Sequence, residues 1–266
     1  MRLKDRVAIV VGAGQSPGEG MGNGRATALT FAREGAKVLC VDRDLASAEE
    51  TAAMIKQSQG TAMAFKADVT KSDELAAMAA EAERRCGRID ILHNNVGVSI
   101  AGGDAELLGL TDEAFDRCVA INLRGTIMAC KHVIPIMRTQ KSGAIVNISS
   151  MAAWTAYPYV AYKATKSAMI SFTEQLAFQN ASYGIRANVI LPGLMNTPMA
   201  VDTRAREFKK SRAEVEAERD AKVPLRNKMG TAWDVANAAL FLASDEAGFI
   251  TGVALPVDGG SSVRVG

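Results

Sequence analysis

Val7-Ala-Ile-Val-Val11 is an unbroken apolar run rich in β-branched residues, the pattern of a strand covered on both faces. Comparable apolar runs recur at residues 37–41, 62–66, 89–92, 144–148, 186–191 and 253–257. Between them the apolar positions switch to three- and four-residue spacing, which predicts helices over 25–34, 45–58, 72–86, 111–137, 159–183 and 231–243. Gly35 stops the first helix, and Asp112-Glu113 place negative charge at the start of the fourth. Strands alternating with helices predict an α/β fold, a doubly wound parallel sheet with right-handed crossovers and helices on both faces. No linker, repeat or low-complexity tract interrupts the chain, so residues 1–266 read as one domain.

One stretch breaks this rhythm. Residues 199–223 are charged and weakly amphipathic, with acidic and basic side chains nearly in balance. Inserted between a strand and the next core helix, residues 198–224 are expected to form a lid over a site at the strand ends.

Composition narrows the function classes. The formal charge is +2 and 48% of residues are apolar, which gives no special attraction to nucleic acid or membrane surfaces. No apolar run approaches the roughly 20 residues of a membrane span, and residues 1–6 have no apolar leader core. Cys40, Cys86, Cys118 and Cys130 are scattered, as expected of reduced thiols in a cytoplasmic protein. His93 and His132 offer no zinc spacing.

Ligands of open parallel sheets bind beyond the carboxyl ends of the strands, so the residues predicted there define the candidate site. The first strand runs into a loop holding Gly12, Gly14, Gly18, Gly20, Gly22 and Gly24, which lets backbone approach a pyrophosphate at a helix start. Asp42 ends the second strand, where a carboxylate accepts hydrogen bonds from an adenosine ribose and repels a 2′-phosphate, favouring NAD over NADP. Later strands end in Asp68-Val69, Asn94-Asn95-Val96-Gly97, Ser149-Ser150 and Pro192-Gly-Leu-Met-Asn-Thr-Pro-Met199. On the helix over 159–183, Tyr162 and Lys166 lie four apart and share a face. An ammonium beside a phenol is expected to lower the phenol's pKa, leaving it able to exchange a proton with an alcohol or carbonyl.

Together, in this order, these motifs closely resemble those of the short-chain dehydrogenase/reductase family over nearly the whole chain. The glycine loop, Asn94-Asn-Val-Gly97, Asn122 in Ile-Asn-Leu-Arg-Gly125, Asn147-Ile-Ser-Ser150, Tyr162-x-x-x-Lys166 and Pro192-Gly193 with Thr197 carry the resemblance. It implies a Rossmann fold and an oxidoreductase passing a hydride between NAD(H) and a secondary alcohol or ketone. Tyr162 would be the acid/base, Lys166 its partner and a ribose ligand, Ser150 the holder of the substrate oxygen, and Asn122 the anchor of a water reaching Lys166. Cofactor contacts are expected from Gly12, Gly14, Gly22, Asn23, Gly24, Asp42, Asp68, Val69, Asn95, Gly97, Tyr162, Lys166, Pro192, Gly193, Met195 and Thr197. Met151, Trp154, Tyr157 and Leu194, with Ser150, would wall an apolar substrate pocket suited to a cyclic or aromatic alcohol. The resemblance also implies a homotetramer built partly from the helices over 111–137 and 159–183.

Three departures stand out. The sequence has Asn-Asn-Val-Gly for the usual Asn-Asn-Ala-Gly. Ser150 lies twelve residues before Tyr162, one short of the common spacing, which Ser149 would restore. Nine residues separate Gly12 from Gly22, six more than the family's usual spacing, so an insertion is expected there. The register Gly14, Gly18, Gly20 would avoid an insertion but open the helix on Met21-Gly-Asn-Gly24, a poor first turn. Gly14-Gln-Ser-Pro-Gly18 also matches a serine-hydrolase elbow, but the following glycines deny it a helix and no histidine follows His132. Two rivals on the same fold remain: an NADPH-dependent 3-oxoacyl-carrier-protein-type reductase, which Asp42 opposes, and a catalytically silent cofactor-binding protein.

Overall fold

The computed structural model describes residues 1–263. Seven parallel strands form its central sheet: β1 (Val7–Val11), β2 (Lys37–Asp42), β3 (Thr61–Lys66), β4 (Ile91–Asn94), β5 (Gly143–Ile148), β6 (Ile185–Pro192) and β9 (Ala254–Val257). They lie in the order β3-β2-β1-β4-β5-β6-β9, so the order reverses beside β1. Val11 pairs with Val41 on one side and Asn94 on the other, which brings the motif-bearing strand ends into one row. That row, at a topological switch point, is where the fold can hold a ligand.

Helices cover both faces because the residues of β1, β5 and β6 are almost all buried and mostly apolar. On one face α1 (Asn23–Arg33), α2 (Leu45–Gln57) and α9 (Ala232–Ala243) pack Phe31, Ile55, Val235 and Leu240 onto Val10, Val38 and Val146. On the other, α3 (Ser72–Cys86), α5 (Gly125–Gln140) and α6 (Val160–Asn180) pack Met78, Val133, Met137 and Leu176 onto Ile9, Leu39 and Ile145.

Two departures from the sequence expectation bear on function. The single helix expected over 111–137 is α4 (Asp112–Val119), a π-helical turn (Ala120–Arg124) and α5. An extra residue per turn is tolerated there because the Asn122 side chain is drawn inward to the Val98 backbone, which it meets on both sides. The charged excursion holds two short helices, α7 (Asp202–Glu207) and α8 (Arg212–Asp220), the second opened by a Ser211/Glu214 capping box. Its ends are tied together where β7 (Met195–Asn196) pairs with β8 (Gly230–Thr231). Val201, Val215, Val223 and Met229 close a small core beneath it, against Leu194.

Candidate functional site

The first turn of α6 has no cap from its own N-cap residue, Tyr159. Asp104, distant in sequence and buried, supplies it: its two carboxylate oxygens accept the backbone N–H groups of Ala161 and Tyr162, each at 2.9 Å. Tyr162 therefore projects from a helix start fixed by another segment. Lys163, beside it, clasps the preceding loop by donating to the carbonyls of Ala152 (3.0 Å) and Thr155 (2.6 Å). Neither Asp104 nor Lys163 was among the expected site residues; nothing local in the sequence couples Asp104 to α6.

The two adjacent serines part company at the end of β5. Ser149 is buried and donates its hydroxyl to the Lys166 carbonyl at 2.6 Å, a structural bond. Ser150 turns toward the Tyr162 phenol, and its hydroxyl oxygen accepts the Ala152 N–H at 3.1 Å. Asn122, fully buried, accepts from Val98 N–H at 2.7 Å and donates to Val98 C=O at 2.9 Å and Thr165 Oγ1 at 3.2 Å. Gly97 lets this group come together, since a Cβ there would lie 3.2 Å from Lys166 Nζ and 3.6 Å from Asn122 Oδ1. Asn122 and Lys166 thus flank Gly97, while Tyr162 lies beside both Ser150 and Lys166.

The charge balance there differs from the expected one. Burial pushes the Tyr162 phenol up to about 12, and Tyr157 adds to the rise, against the opposing effects of Ser150, Arg204 and Arg219. Burial also holds Lys166 down, to about 8. Its ammonium donates to the Ile148 carbonyl at 2.8 Å and lies 5.7 Å from the centre of the Tyr162 ring. The expected lowering of the phenol by Lys166 is therefore absent: desolvation disfavours both charged forms, and the ammonium is engaged elsewhere.

At the other end of the row the glycines of the first loop are closely packed. Gly12 has φ +82°, and a Cβ on Gly24 would strike the Gly12 carbonyl oxygen. A Cβ on Gly14 would lie 2.7 Å from Asp42 Oδ2, which instead accepts the Gly14 N–H at 3.0 Å. Helix α1 opens at Asn23, two residues before the expected start, with no side-chain cap and no acidic residue in its first turn. The buried Asn23 Oδ1 has no hydrogen-bond partner among the described residues. An uncapped helix start, close-packed glycines and an orphaned polar atom fit a dinucleotide's phosphates, with Asp42 placed for the ribose.

Farther along the row, Asn95 donates to the Gly12 carbonyl at 3.3 Å, and Asp68 accepts two bonds from Thr70 that keep it ionised against burial. Buried Val69 packs against Gly125. Gly193 passes so close to Asp258 that a Cβ would lie 2.6 Å from its Cα, while Met195 and Thr197 are buried beside it. Of the expected pocket walls, Tyr157 stacks on Tyr162 with ring centres 5.4 Å apart and bonds Ser99 through its hydroxyl. Leu194 faces the small core under α7 and α8, Met151 is partly buried, and Trp154 is half exposed.

The enlarged glycine loop closes on itself and on the excursion. Gln15 accepts the Gly22 N–H at 2.9 Å and donates to the Gly20 carbonyl at 3.2 Å. Arg206 donates to the Pro17 carbonyl at 3.3 Å, and Arg212 reaches Glu19 at 3.8 Å. Gly24 packs directly on Gly12, and residues 13–22 loop out between them.

A family model described as enoyl-(acyl carrier protein) reductase matches residues 19–262. The chain is 37% identical over 263 residues to 2-(S)-hydroxypropyl-CoM dehydrogenase 3 of Xanthobacter autotrophicus, covering 97% of each chain. It is 34% identical to the 3-oxoacyl-[acyl-carrier-protein] reductase FabG of Thermotoga maritima, covering 98% of this chain and 99% of that one. A solved Burkholderia xenovorans protein, a candidate short-chain dehydrogenase/reductase, is 42% identical and superposes with a TM-score of 0.90 over 100% of this chain and 99% of its own. Among the described residues no cluster of His, Cys, Asp and Glu could hold a metal, and no helix is long and apolar enough to cross a membrane.

Proposed function

Because the chain belongs to the short-chain dehydrogenase/reductase family, we propose that it oxidises a secondary alcohol to a ketone, or runs the reverse, with NAD(H) as its cofactor. The convergence of Asn122, Ser150, Tyr162 and Lys166 at the carboxyl ends of the strands carries this reading. Bound NAD would supply the hydride acceptor. Gly12, Gly14, Gly22, Asn23 and Gly24 would hold its phosphates, Asp42 its adenosine ribose, and Asp68 with Val69 the flanks of its adenine. Asn95, Gly97, Pro192, Gly193, Met195 and Thr197 would line the nicotinamide end, where Lys166 would meet the second ribose.

Ser150 orients the substrate oxygen toward the Tyr162 hydroxyl. In reduction Tyr162 donates its proton to that oxygen, a task suited to a phenol held at about 12. In oxidation Tyr162 must take the hydroxyl proton, so a charge drawn in beside it has to lower its pKa. Lys166 is the group on hand, and shifting from the Ile148 carbonyl toward the phenol would do this. Asn122 keeps Lys166 connected to solvent by anchoring a water on its backbone partners.

Residues 198–224 act as the substrate lid, tied at its base by the β7–β8 pair. Of the expected pocket walls, Met151, Trp154 and Tyr157 favour a cyclic or aromatic carbon skeleton, while Leu194 packs into the small core beneath α7 and α8. Self-association through the helices over 111–137 and 159–183 is supported by the exposed rings of Phe115 and Phe178. The second reading, an NADPH-dependent 3-oxoacyl-carrier-protein reductase, is favoured by the likeness to FabG and opposed by the Asp42 carboxylate. Screening secondary alcohols for NAD reduction at alkaline pH tests the reading. Turnover with NAD, abolished in Tyr162→Phe, is expected; turnover confined to NADPH would shift it to the reductase.

A further inference from the structure

The cations of the excursion are unevenly partnered. Arg212 is bound to Asp202, lies 3.1 Å from Glu216 and donates to Asn196 Oδ1 at 2.7 Å. Lys210 pairs with Glu218 at 2.5 Å, and Lys228 lies 3.9 Å from Asp220. Arg204 and Arg219 have no carboxylate within ion-pair distance among the described residues. Arg204, on α7, donates to the Ala200 carbonyl at 3.0 Å. Arg219, on α8, reaches Met229 Sδ at 3.3 Å, a weak acceptor. Both are partly withdrawn from solvent.

Both arginines belong to the segment that packs on the small core of Val201, Val215 and Met229 against Leu194, just beyond the end of β6, and Arg219 touches Met229 of that core. Their positive fields both reach the Tyr162 phenol. Burial holds Arg219 down to about 10, Arg204 disfavours its charge further, and Tyr157, Asp220 and Tyr162 counter this. Two like charges held close, half-desolvated and without a counter-ion are costly unless an anion joins them. Of the excursion's other acidic residues, Glu214 is committed to the Ser211 cap, Glu216 to Arg212 and Asn196, and Asp220 to the Met229 N–H, while Glu207 is exposed and pairs with neither arginine.

We propose that Arg204 and Arg219 form an anion-binding subsite of the substrate pocket, so that the substrate is a secondary alcohol or ketone carrying a carboxylate, sulfonate or phosphate. This rests on the reading of Tyr162 as the group facing the substrate oxygen. The apolar walls hold the carbon skeleton, and the arginines hold its charged end from above. Guanidinium groups suit this role because their planar donors match oxyanions in pairs. They also give the lid a reason to close, since the anion joins α7 to α8.

The experiment uses the NAD-loaded protein and 4-(1-hydroxyethyl)benzoate, its sulfonate and phosphate counterparts, and its uncharged methyl ester. Calorimetry measures binding and NAD reduction measures turnover, with Arg204→Gln, Arg219→Gln, the double variant and Arg219→Lys. At least one anionic probe should bind roughly tenfold or more tightly than the ester. The glutamine variants should lose that preference in binding and in KM, leave the binding of the ester unchanged and keep the melting temperature; Arg219→Lys should restore part of it. Equal binding of ester and all three anions, or variants that weaken both alike, overturns the subsite. The unmodified protein separates the two readings: anion preference without turnover of any alcohol leaves the subsite standing and removes the alcohol chemistry, whereas turnover that Tyr162→Phe abolishes, without anion preference, does the opposite.

Discussion

The backbone N–H of Glu19, in the enlarged glycine loop, donates to Asp202 Oδ1 at 3.4 Å on the first helix of the lid. Gly18 passes so near that a Cβ there would lie 2.6 Å from Asp202 Oδ2, and Arg206 holds the Pro17 carbonyl. The glycine loop is thus latched to the segment proposed to cover the substrate. Deleting residues 15–20 is expected to weaken NAD binding several-fold and to speed tryptic cleavage within 204–210, with the melting temperature of the free protein unchanged or raised. NAD titration and limited proteolysis check this; no change in either would make the loop a surface bulge.

Tyr162→Phe should lower turnover roughly 10²–10⁴-fold while NAD still binds. Lys166→Ala should impair both turnover and NAD affinity. With the free phenol at about 12, ketone reduction needs the protonated form that dominates at neutral pH, so its rate should be level from pH 6 to 8. Alcohol oxidation needs the proton removed, so its rate should climb with pH. Opposite slopes in the two directions would displace Tyr162 from the acid/base role.

Asp42 accepts the Gly14 and Asp44 backbone N–H groups, so its position is built into the turn. Asp42→Asn keeps an acceptor but removes the charge that repels a 2′-phosphate. The NADP-to-NAD ratio of kcat/KM should rise about tenfold or more, about 1.4 kcal/mol of discrimination. An unmodified enzyme that already prefers NADP would refute the assignment.

His93 is fully buried on β4 against Phe31, and neither ring nitrogen finds a partner among the described residues. Burial pushes it down to about 3 from its ordinary 6.5. The unfolded chain binds a proton there below pH 6.5 and the folded one refuses it, so this contribution to stability is lost as pH falls from 6.5 toward 3. The loss is on the order of several kcal/mol. His93→Leu should flatten the acid arm of the melting-temperature profile in that window; an unaltered slope would show that His93 is not the group responsible.

Much of this was legible in the sequence because it rests on local pattern. The run Val7–Val11 and the helix Ser72–Cys86 appear with their expected ends, since β-branched clustering and alanine periodicity act over neighbouring residues. Tyr162 and Lys166 share a face because helical geometry demands it. What escaped the sequence depends on distant partners. The π turn at Asn122 exists to meet Val98, and the raised phenol of Tyr162 reflects burial that local spacing could not register. Arg204 and Arg219 stood in a run where acidic and basic side chains nearly balance, and the fold decided which cations were left without a carboxylate.

Asp104 is the clearest case of such a distant partner. Its buried carboxylate caps α6 by accepting the Ala161 and Tyr162 N–H groups, while Ser99 Oγ donates to it at 3.4 Å. Stripping the carboxylate in Asp104→Ala leaves two helix-end donors without partners and should cost about 1–2 kcal/mol of stability. Loss of a cap alone would lower the melting temperature and leave the surviving folded enzyme at full kcat. Because the capped N–H is that of Tyr162 itself, the phenol should also lose its fixed aim, so kcat should fall about tenfold at temperatures where the variant is fully folded. Asp104→Asn, which retains one acceptor oxygen, should recover part of both effects. Thermal melts beside kcat measured well below the transition separate the two contributions. A destabilised Asp104→Ala with undiminished kcat would reduce Asp104 to a helix cap with no part in positioning Tyr162.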